Sequence, residues 1–338
     1  MRTLFVCVVA FLWASVGLAA DTLGIYVIDT EGGKSMIVVT PDGEKMLVDG
    51  GNPSRDDRDT KRIVAAARAL GIKQFDYMLA THYDSDHVGN IPRIDSLIPT
   101  KVFIDHGEPI PTLNARSKRG NYDPYVTAIG DRKRISVKPG DVLPLKGLQI
   151  TVITAGGKAI SNPLAGGGQP NELAPASRPT YTDMDDNADC IGLSYEFGKF
   201  RMLDLADLLS AVEYDLMCPK NPVGTVDLFM VSHHGLKMSN AKFLVHALHP
   251  KVAIMNNGPR KGGDPEVLDI VRSSPGLQDL WQLHYSPKAG GARNVPADFI
   301  ANIQDPCEGK PIKVVVQRDG TFTITNTRND FSKTYKPQ

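Results

Sequence analysis

A short polar segment directly after a mostly apolar run most constrains the fold of this chain. The segment spans Thr81–Asn90 and follows Phe75–Ala80, and it carries two histidines and two aspartates within six residues: His82, Asp84, Asp86 and His87. The run predicts a buried strand and the segment a turn at its end. Side chains so close together converge on a small volume, where they would repel or stay unsatisfied without a cation between them. The pattern predicts a site for divalent metal ions; a polar loop without a metal is the competing interpretation.

Further polar groups stand at the ends of other predicted strands and fit the same site. Two divalent ions held about 3.5–4 Å apart need roughly six to eight ligands, usually including a bridging carboxylate. The ends of strands can gather such side chains from distant parts of a sequence, and the candidates here are Asn187, Asp189, Asp207, His233 and His234.

The arrangement of predicted elements indicates the fold class. Strands alternate with helices in both halves of the chain, which favours an α+β fold, an αββα sandwich of two packed β-sheets flanked by helices. The predicted strands are Leu23–Asp29, Met36–Thr40, Lys45–Asp49, Phe75–Ala80, Lys101–Asp105, Leu148–Ile153, Cys190–Phe197, Phe200–Asp204, Val226–Val231 and Lys251–Met255. The predicted helices are Thr60–Leu70, Ala206–Met217, Asn240–Leu248 and Asp264–Arg272. Residues 156–180, rich in Gly, Pro, Asn and Ser, predict a long flexible loop, either a flap over the substrate or a linker.

The first twenty residues have the order of a secretory signal peptide. Arg2 precedes an apolar stretch, Leu4–Trp13, and small residues end at Ala20. This order predicts cleavage after Ala19 or Ala20 and an exported protein, periplasmic or secreted, in which residues 21–338 form one domain. An uncleaved anchor is the alternative. No later segment is apolar enough to predict a membrane contact after cleavage, and no feature indicates an obligate protein partner.

The charge balance narrows the classes of partner that the chain is expected to bind. Lys plus Arg and Asp plus Glu are 38 each, so the whole chain lacks the basic excess typical of nucleic-acid binding. A basic stretch at 116–138 predicts either a local phosphate-attracting patch or a solvated face.

Three cysteines follow the signal segment and cannot all pair within one chain, and Cys218 with Cys307 is the candidate disulfide.

The motifs together resemble the metallo-β-lactamase superfamily, whose common motif is His-x-His-x-Asp-His. The chain is most similar to the branch that contains the extracellular domain of the competence protein ComEC, in which the middle histidine is an aspartate, as Asp84 is here. The resemblance covers about residues 22–328. The features that carry it, in the order of that branch, are Asp49-Gly50-Gly51, the Thr81–Asn90 motif, the strand entry at Asn187, Asp207, His233-His234-Gly235 and Pro265–Leu268.

The resemblance implies a binuclear site and a role for each matching residue. His82 and Asp84, completed by Asp189 or Asn187, would hold one ion. Asp86 and His87 would hold the other, together with His233 or His234, of which His233 is taken as the ligand. Asp207 would bridge the two ions, and Asp49 would orient a ligand histidine. The ions would activate a water molecule, Asp86 would orient it, and the spare histidine of the 233–234 pair would protonate the leaving group or bind an oxyanion.

The sequence also departs from the family pattern. The histidine of the third motif is absent, and only Ser239 remains of the hydroxyl residues that follow His-His-Gly. Oxygen-rich ligands suit manganese as well as zinc, so zinc ranks first and manganese second. The resemblance favours a metal-dependent hydrolase of phosphodiesters, either nucleic acid or a small molecule such as a nucleotide. The alternatives are a hydrolase of small lactones or β-lactams, and a catalytically degenerate protein that binds a metal or a partner.

Overall fold

The structure, a computed structural model, describes residues 21–54, 56–109, 115–180 and 186–338. The strands are β1 (Thr22–Val27), β2 (Met36–Val39), β3 (Lys45–Val48), β4 (Phe75–Leu79), β5 (Thr100–Asp105), β6 (Lys133–Ser136), β7 (Gln149–Ala155), β8 (Lys158–Ala159), β9 (Gln169–Pro170), β10 (Gly192–Phe197), β11 (Phe200–Asp204), β12 (Lys220–Asn221), β13 (Leu228–Val231), β14 (Val252–Met255), β15 (Asp279–His284), β16 (Ile300–Asn302), β17 (Ile312–Gln317), β18 (Phe322–Asn326) and β19 (Phe331–Tyr335). The α-helices are α1 (Arg58–Ala69), α2 (Ser85–Val88), α3 (Ile91–Leu97), α4 (Ala115–Ile129), α5 (Ser210–Met217), α6 (Lys242–Leu248) and α7 (Pro265–Arg272). Short 3₁₀ helices include Asp186–Asp189 and Ser232–Gly235.

Two large mixed sheets form the centre of the fold. The first has the strand order β19-β18-β17-β1-β2-β3-β4-β5-β6, and the second has the order β16-β15-β14-β13-β11-β10-β7-β8. In the first sheet β3, β4, β5 and β6 run parallel, and in the second β11, β13, β14, β15 and β16 do so. Since the carboxyl ends of parallel strands meet at one edge, each sheet gathers its polar strand-end residues there.

Three apolar cores define the layers. Residues of both sheets, such as Leu23 and Val314 of the first and Leu193 and Trp281 of the second, pack in one central cluster. A second cluster packs α1, α3 and α4 on the outer face of the first sheet. A third packs α5, α6 and α7 on the outer face of the second sheet. The predicted αββα sandwich is therefore confirmed.

Several segments differ from the sequence prediction. Helix α4 and strand β6 occupy most of the basic stretch at 116–138, where Arg132 pairs with Asp95 at 2.7 Å and Arg134 with Asp105 at 2.7 Å. These two cations are neutralised within the fold, which weakens the interpretation as a phosphate-attracting patch. The prediction lacked the C-terminal strands β17, β18 and β19, which complete the first sheet. Strand β17 pairs with β1, β18 pairs with β17, and β19 pairs with β18.

Residues 156–180 contain two two-residue strands and are attached to the second helical layer. The Asn171 side chain donates to the carbonyl oxygens of Met217 and Phe243, at 3.0 and 2.9 Å, and β9 pairs with β12.

Cys190, Cys218 and Cys307 are all free, so the candidate disulfide between Cys218 and Cys307 is not formed. The predicted signal peptide, residues 1–20, lies outside the described residues. Across the part of the chain that is described, no helix has both the length and the apolar character needed to cross a bilayer.

Candidate metal centre

The turn after β4 carries the four motif residues and is fixed by backbone hydrogen bonds. The amides of His87 and Val88 both donate to the carbonyl oxygen of Asp84 at 3.0 Å. Gly89 closes the turn at a position where a Cβ atom would lie 2.3 Å from the Ser85 carbonyl oxygen, so a larger residue does not fit. His82 and His87 are fully buried, whereas the Asp84 side chain is 31% exposed. The turn therefore holds the histidines rigidly and leaves one carboxylate at the surface of the cleft.

Asp49, at the end of β3, orients the turn from beneath. Its carboxylate accepts hydrogen bonds from the Thr81 amide and hydroxyl, both at 2.8 Å, and contacts His87 Nδ1 at 2.9 Å. Burial acts to raise the pKa of Asp49, but His87 and Lys34 outweigh it, so the pKa is lowered and the carboxylate stays ionised. An ionised partner at Nδ1 favours the His87 tautomer whose Nε2 is free to bind a metal. The contact agrees with the role predicted for Asp49.

Four side chains from both sheets converge on one point. Asp207 Oδ2 lies 3.2 Å from His87 Nε2 and 3.1 Å from His234 Nε2. Asp86 Oδ2 lies 3.2 Å from His234 Nε2 and 3.7 Å from His87 Nε2. Ligands bonded at about 2.0–2.2 Å to one tetrahedral ion are separated from each other by roughly 3.3–3.6 Å. The four-residue cluster of Asp86, His87, Asp207 and His234 thus has the spacing of one metal coordination sphere.

Buried polar atoms in and beside this cluster that make no hydrogen bond fit a cation. Within the described residues, Nε2 of His82, His87 and His234 and Oδ1 of Asp207 are buried and make no hydrogen bond. Buried polar atoms are nearly always hydrogen-bonded, so a group of such atoms around one point indicates a missing partner. Burial acts to raise the pKa of Asp207, but His234 and His87 lower it well below its usual value. A carboxylate that stays ionised and has a free oxygen can hold a metal on each side.

A second cation position is only partly built from the described side chains. His82 Nε2 lies 3.6 Å from Asp84 Oδ2, and the His82 ring centroid lies 4.0 Å from that of His87. The predicted ligands Asn187 and Asp189 are buried in the 3₁₀ helix that precedes β10. From the same helix Asp186, which the sequence prediction omitted, accepts a hydrogen bond from the Tyr83 amide at 2.5 Å. The Ile191 amide donates to the Thr81 carbonyl oxygen at 2.9 Å, so this helix is held beside the motif.

The two adjacent histidines have different surroundings. His233 and His234 both have left-handed φ values, 51° and 54°, so their side chains diverge. His234 joins the four-residue cluster and contacts Asn256 through Nδ1 at 3.2 Å. His233, taken above as the ligand, instead has its Nδ1 3.1 Å from Ser239 Oγ and its Nε2 3.5 Å from Asp207. Burial lowers the pKa of His233 to about 4, so at neutral pH this ring is uncharged. The geometry favours His234 as the ligand and leaves His233 as the spare histidine.

Lys34 supports the loop that presents Asp207. Its buried ammonium pairs with Asp204 at 2.5 Å, and Asp204 also accepts a hydrogen bond from the Ala206 amide at 3.1 Å. Ala206 has a φ of 51°, and its carbonyl oxygen accepts from the His233 amide at 2.8 Å. The Lys34 amide also donates to the Asp86 carbonyl oxygen at 3.0 Å. One lysine therefore connects the two halves of the site.

A second group of metal-ligating residues is already neutralised by an arginine. Asp29, His284 and Cys307 offer ligand atoms within 4.8 Å of one another. Arg62 occupies this group, with Nη1 2.9 Å from Asp29 and Nη2 3.4 Å from the Cys307 sulfur. Because the guanidinium supplies the positive charge, we assign a structural role to this group.

Comparison with known proteins agrees with the family resemblance of the sequence. Residues 29–164 match the sequence profile of the metallo-β-lactamase superfamily. Over these residues, which include the Thr81–Asn90 motif, the chain is similar to the metallo-β-lactamase superfamily.

Within the superfamily, the chain is similar to the ComEC-like branch. It is 27% identical over 271 residues to ComE operon protein 3 of Bacillus subtilis (strain 168), an alignment that covers 75% of the chain. The alignment covers 30% of that relative, so the chain spans less than a third of the relative's length.

Solved structures with related folds are more distant. The metallo-β-lactamase fold protein YhfI of Bacillus subtilis is 12% identical, with a TM-score of 0.45 over 78% of this chain and 96% of that one. Igni18, a metallo hydrolase of the archaeon Ignicoccus hospitalis, is 16% identical, with a TM-score of 0.44 over 79% and 96% of the two chains.

Proposed function

We propose that this protein is an exported, metal-dependent phosphodiesterase with a binuclear site, in which zinc is the preferred ion and manganese the second choice. The observation that carries the proposal is the four-residue cluster, whose four histidine–carboxylate distances are 3.1–3.7 Å and whose ligand atoms all lie within 4.8 Å of one another. His82 and Asp84 are the ligands proposed for the second ion, with Asp207 between the two. When bound, divalent ions of this kind activate water and stabilise developing negative charge.

The protein's own groups account for the remaining requirements. Asp49 and Lys34 fix the ligands before a metal arrives, so little reorganisation is needed on binding. His233 is uncharged, lies beside Asp207 and has its Nδ1 3.1 Å from Ser239 Oγ, so it is placed to accept a proton, which it can then pass to a leaving oxygen. The similarity to the ComEC-like branch supports a phosphodiester as substrate. The balanced net charge favours a short or small diester over a long nucleic acid.

Metal content and turnover of one set of proteins test the proposal. Residues 21–338 are purified, loaded with zinc or manganese, and analysed by mass spectrometry for bound metal and with bis-p-nitrophenyl phosphate for hydrolysis. We expect the wild type to bind up to two equivalents of metal. His87→Ala and Asp207→Asn should lose bound metal, and their kcat/KM should fall by at least 100-fold. His249→Asn is the matched control, because His249 is exposed, lies outside the site and has a left-handed φ that asparagine tolerates.

Two other results would replace the proposal. Bound metal with no turnover of diesters, lactones or nitrocefin would favour the degenerate binding protein, a reading that the missing third-motif histidine already suggests. Turnover of lactones or nitrocefin, but not of diesters, would favour the small-ester or β-lactam alternative.

A further inference from the structure

We propose that Lys261 binds the anionic group of the substrate at this site, an inference that rests on the proposed function. The Lys261 ammonium pairs with Asp86 Oδ2, a ligand atom of the four-residue cluster. Its side chain is 38% exposed, so Lys261 contacts the cluster and is also accessible to solvent. Of the lysines and arginines in the described ranges, Lys261 is the one whose side chain forms an ion pair with a carboxylate of this cluster.

The backbone around Lys261 is held in place by close glycine contacts. The Gly258 amide donates to the Lys261 carbonyl oxygen at 2.8 Å, and the Gly263 amide donates to the His234 carbonyl oxygen at 2.9 Å. A Cβ atom at Gly262 would lie 2.0 Å from the His234 carbonyl oxygen, and one at Gly258 would lie 2.2 Å from the Glu31 backbone. The loop therefore packs directly on the His-His-Gly turn, and the ammonium can change position only by rotation of its side chain.

A metal and Lys261 compete for the same carboxylate. An ammonium carries three donors and no acceptor, so it cannot be a ligand. Once Asp86 holds a divalent ion, the attraction between Asp86 and Lys261 is weakened and the ammonium is repelled by the ion. It remains tethered beside the cluster, with its pairing to Asp86 weakened. An anionic oxygen of a substrate then supplies the partner, through a charge-assisted hydrogen bond.

Two neighbouring cations show why this role falls to Lys261. Lys34 is buried and fully engaged with Asp204, so it is inaccessible to a ligand. Arg260 precedes Lys261 in the chain, but its side chain is 83% exposed and pairs with Asp305. Arg260 contributes only to the screened surface potential, whereas Lys261 combines contact with the cluster and access to solvent. Arg260→Met is therefore the matched control for Lys261→Met.

The test measures phosphate binding and substrate charge together. Wild type, Lys261→Met, Lys261→Arg and Arg260→Met are loaded with zinc, checked for metal content, and titrated with inorganic phosphate by calorimetry. KM and kcat are then measured with bis-p-nitrophenyl phosphate, which is an anion, and with p-nitrophenyl acetate, which is neutral. For Lys261→Met we expect unchanged metal content, at least tenfold weaker phosphate binding, and a KM for the anionic diester raised about tenfold. The KM for the neutral acetate should change much less than the KM for the diester, Lys261→Arg should recover part of the binding, and Arg260→Met should match the wild type.

Other results would overturn the assignment. Loss of metal from Lys261→Met would make Lys261 a support of the metal site, and equal effects of Lys261→Met and Arg260→Met would reduce it to general surface charge. A wild type that binds metal and hydrolyses the acetate, but neither binds phosphate nor cleaves the diester, would reject the anion site and the phosphodiester substrate while leaving the hydrolase class intact. A wild type that binds no metal after reconstitution would reject the proposed function itself.

Discussion

At the scale of single residues, the site depends on groups that never touch the substrate. Asp49 accepts two hydrogen bonds from Thr81 and contacts His87, and all of these atoms are buried. Such a carboxylate fixes the tautomer and the ring orientation of the ligand histidine, which matters because a metal binds only the correctly directed nitrogen lone pair.

We therefore expect Asp49→Asn to weaken metal binding although Asp49 is not a ligand. The amide keeps the volume of the carboxylate but loses its charge, so zinc affinity should fall by about 10- to 100-fold. Competition with a chelating dye measures this affinity directly. Asp76→Asn is the control, because Asp76 lies on the neighbouring strand β4 and pairs with Lys101 at the surface. Equal zinc affinities for Asp49→Asn and wild type would remove Asp49 from the metal centre.

At the scale of elements, a buried glutamate links two helices to the His-His-Gly turn. Glu213 of α5 accepts hydrogen bonds from the Asn240 and Ala241 amides, at 2.7 and 2.9 Å, just before α6 begins. The Asn240 side chain in turn accepts from the Ser232 amide at 2.9 Å and donates to the Ser232 carbonyl oxygen at 2.8 Å. A helix outside the site thereby fixes the residue next to His233.

Glu213 should make the stability of the fold depend on pH. Burial raises its pKa from 4.5 to about 8, so the folded state retains a proton that the unfolded chain releases. The stabilisation is complete below about pH 4.5 and is lost by about pH 8, since stability falls wherever the folded state binds more protons. Relative to Glu213→Gln, the wild type should lose on the order of a few kcal/mol of unfolding free energy across this window.

Urea unfolding of metal-free protein at several pH values checks this expectation. Glu172→Gln, at an exposed position, should follow the wild-type curve. Parallel curves for wild type and Glu213→Gln between pH 4.5 and 8 would show that Glu213 ionises normally in the folded state.

The elements that the sequence predicted correctly are those whose apolar runs end in polar turns. Each polar turn of the site follows or precedes such a run, so the strand ends and the family resemblance together singled out Asp86, His87, Asp207 and the His233–His234 pair as candidates. Helix α4 was missed because Gly120 and Pro124, both poor helix formers, lie within it. Strand β17 was missed although its burial alternates between buried and partly exposed residues, a signal that was available.

The two lysines beside the site, Lys34 and Lys261, were harder to predict from the sequence than the candidate metal ligands. Lys261 lies in a Gly-Pro-Arg-Lys-Gly-Gly segment that has only the features of a loop, and its contact with Asp86 joins residues 175 positions apart. Lys34 and Asp204 are 170 positions apart. Nothing in the local pattern of either lysine specifies such a partner, because the pairing follows from how the two sheets are packed.

At the scale of the whole molecule, the proposed metal ties the two sheets together. His87 and Asp86 come from the first sheet, and Asp207 and His234 come from the second. A ligand that binds only the folded state stabilises it by mass action, by about 4 kcal/mol when its concentration is a thousand times its dissociation constant.

Removing the metal should therefore lower the thermal midpoint of unfolding. We expect EDTA to lower this midpoint in the wild type by several degrees and excess zinc to restore it, as followed by circular dichroism. His87→Ala should unfold at nearly the same temperature with and without EDTA, because it lacks a ligand. An EDTA-induced shift of equal size in His87→Ala would mean that the stabilising ion binds elsewhere.

The Asp29–His284 contact ties the same two sheets together without a metal. Asp29 follows β1 of the first sheet, His284 ends β15 of the second, and the His284 Nε2 to Asp29 Oδ1 distance is 2.8 Å, with both residues buried. Asp29 would keep Arg62, but His284→Ala removes a buried hydrogen-bond partner and leaves a cavity, so it should lower the unfolding free energy by about 2–4 kcal/mol. Cys307→Ser, which keeps the Asp29–His284 contact and Arg62, should cost less than about 1 kcal/mol. Urea unfolding in EDTA measures both. A larger loss in Cys307→Ser than in His284→Ala would show that the thiol, and not the contact between the sheets, holds this side of the sandwich together.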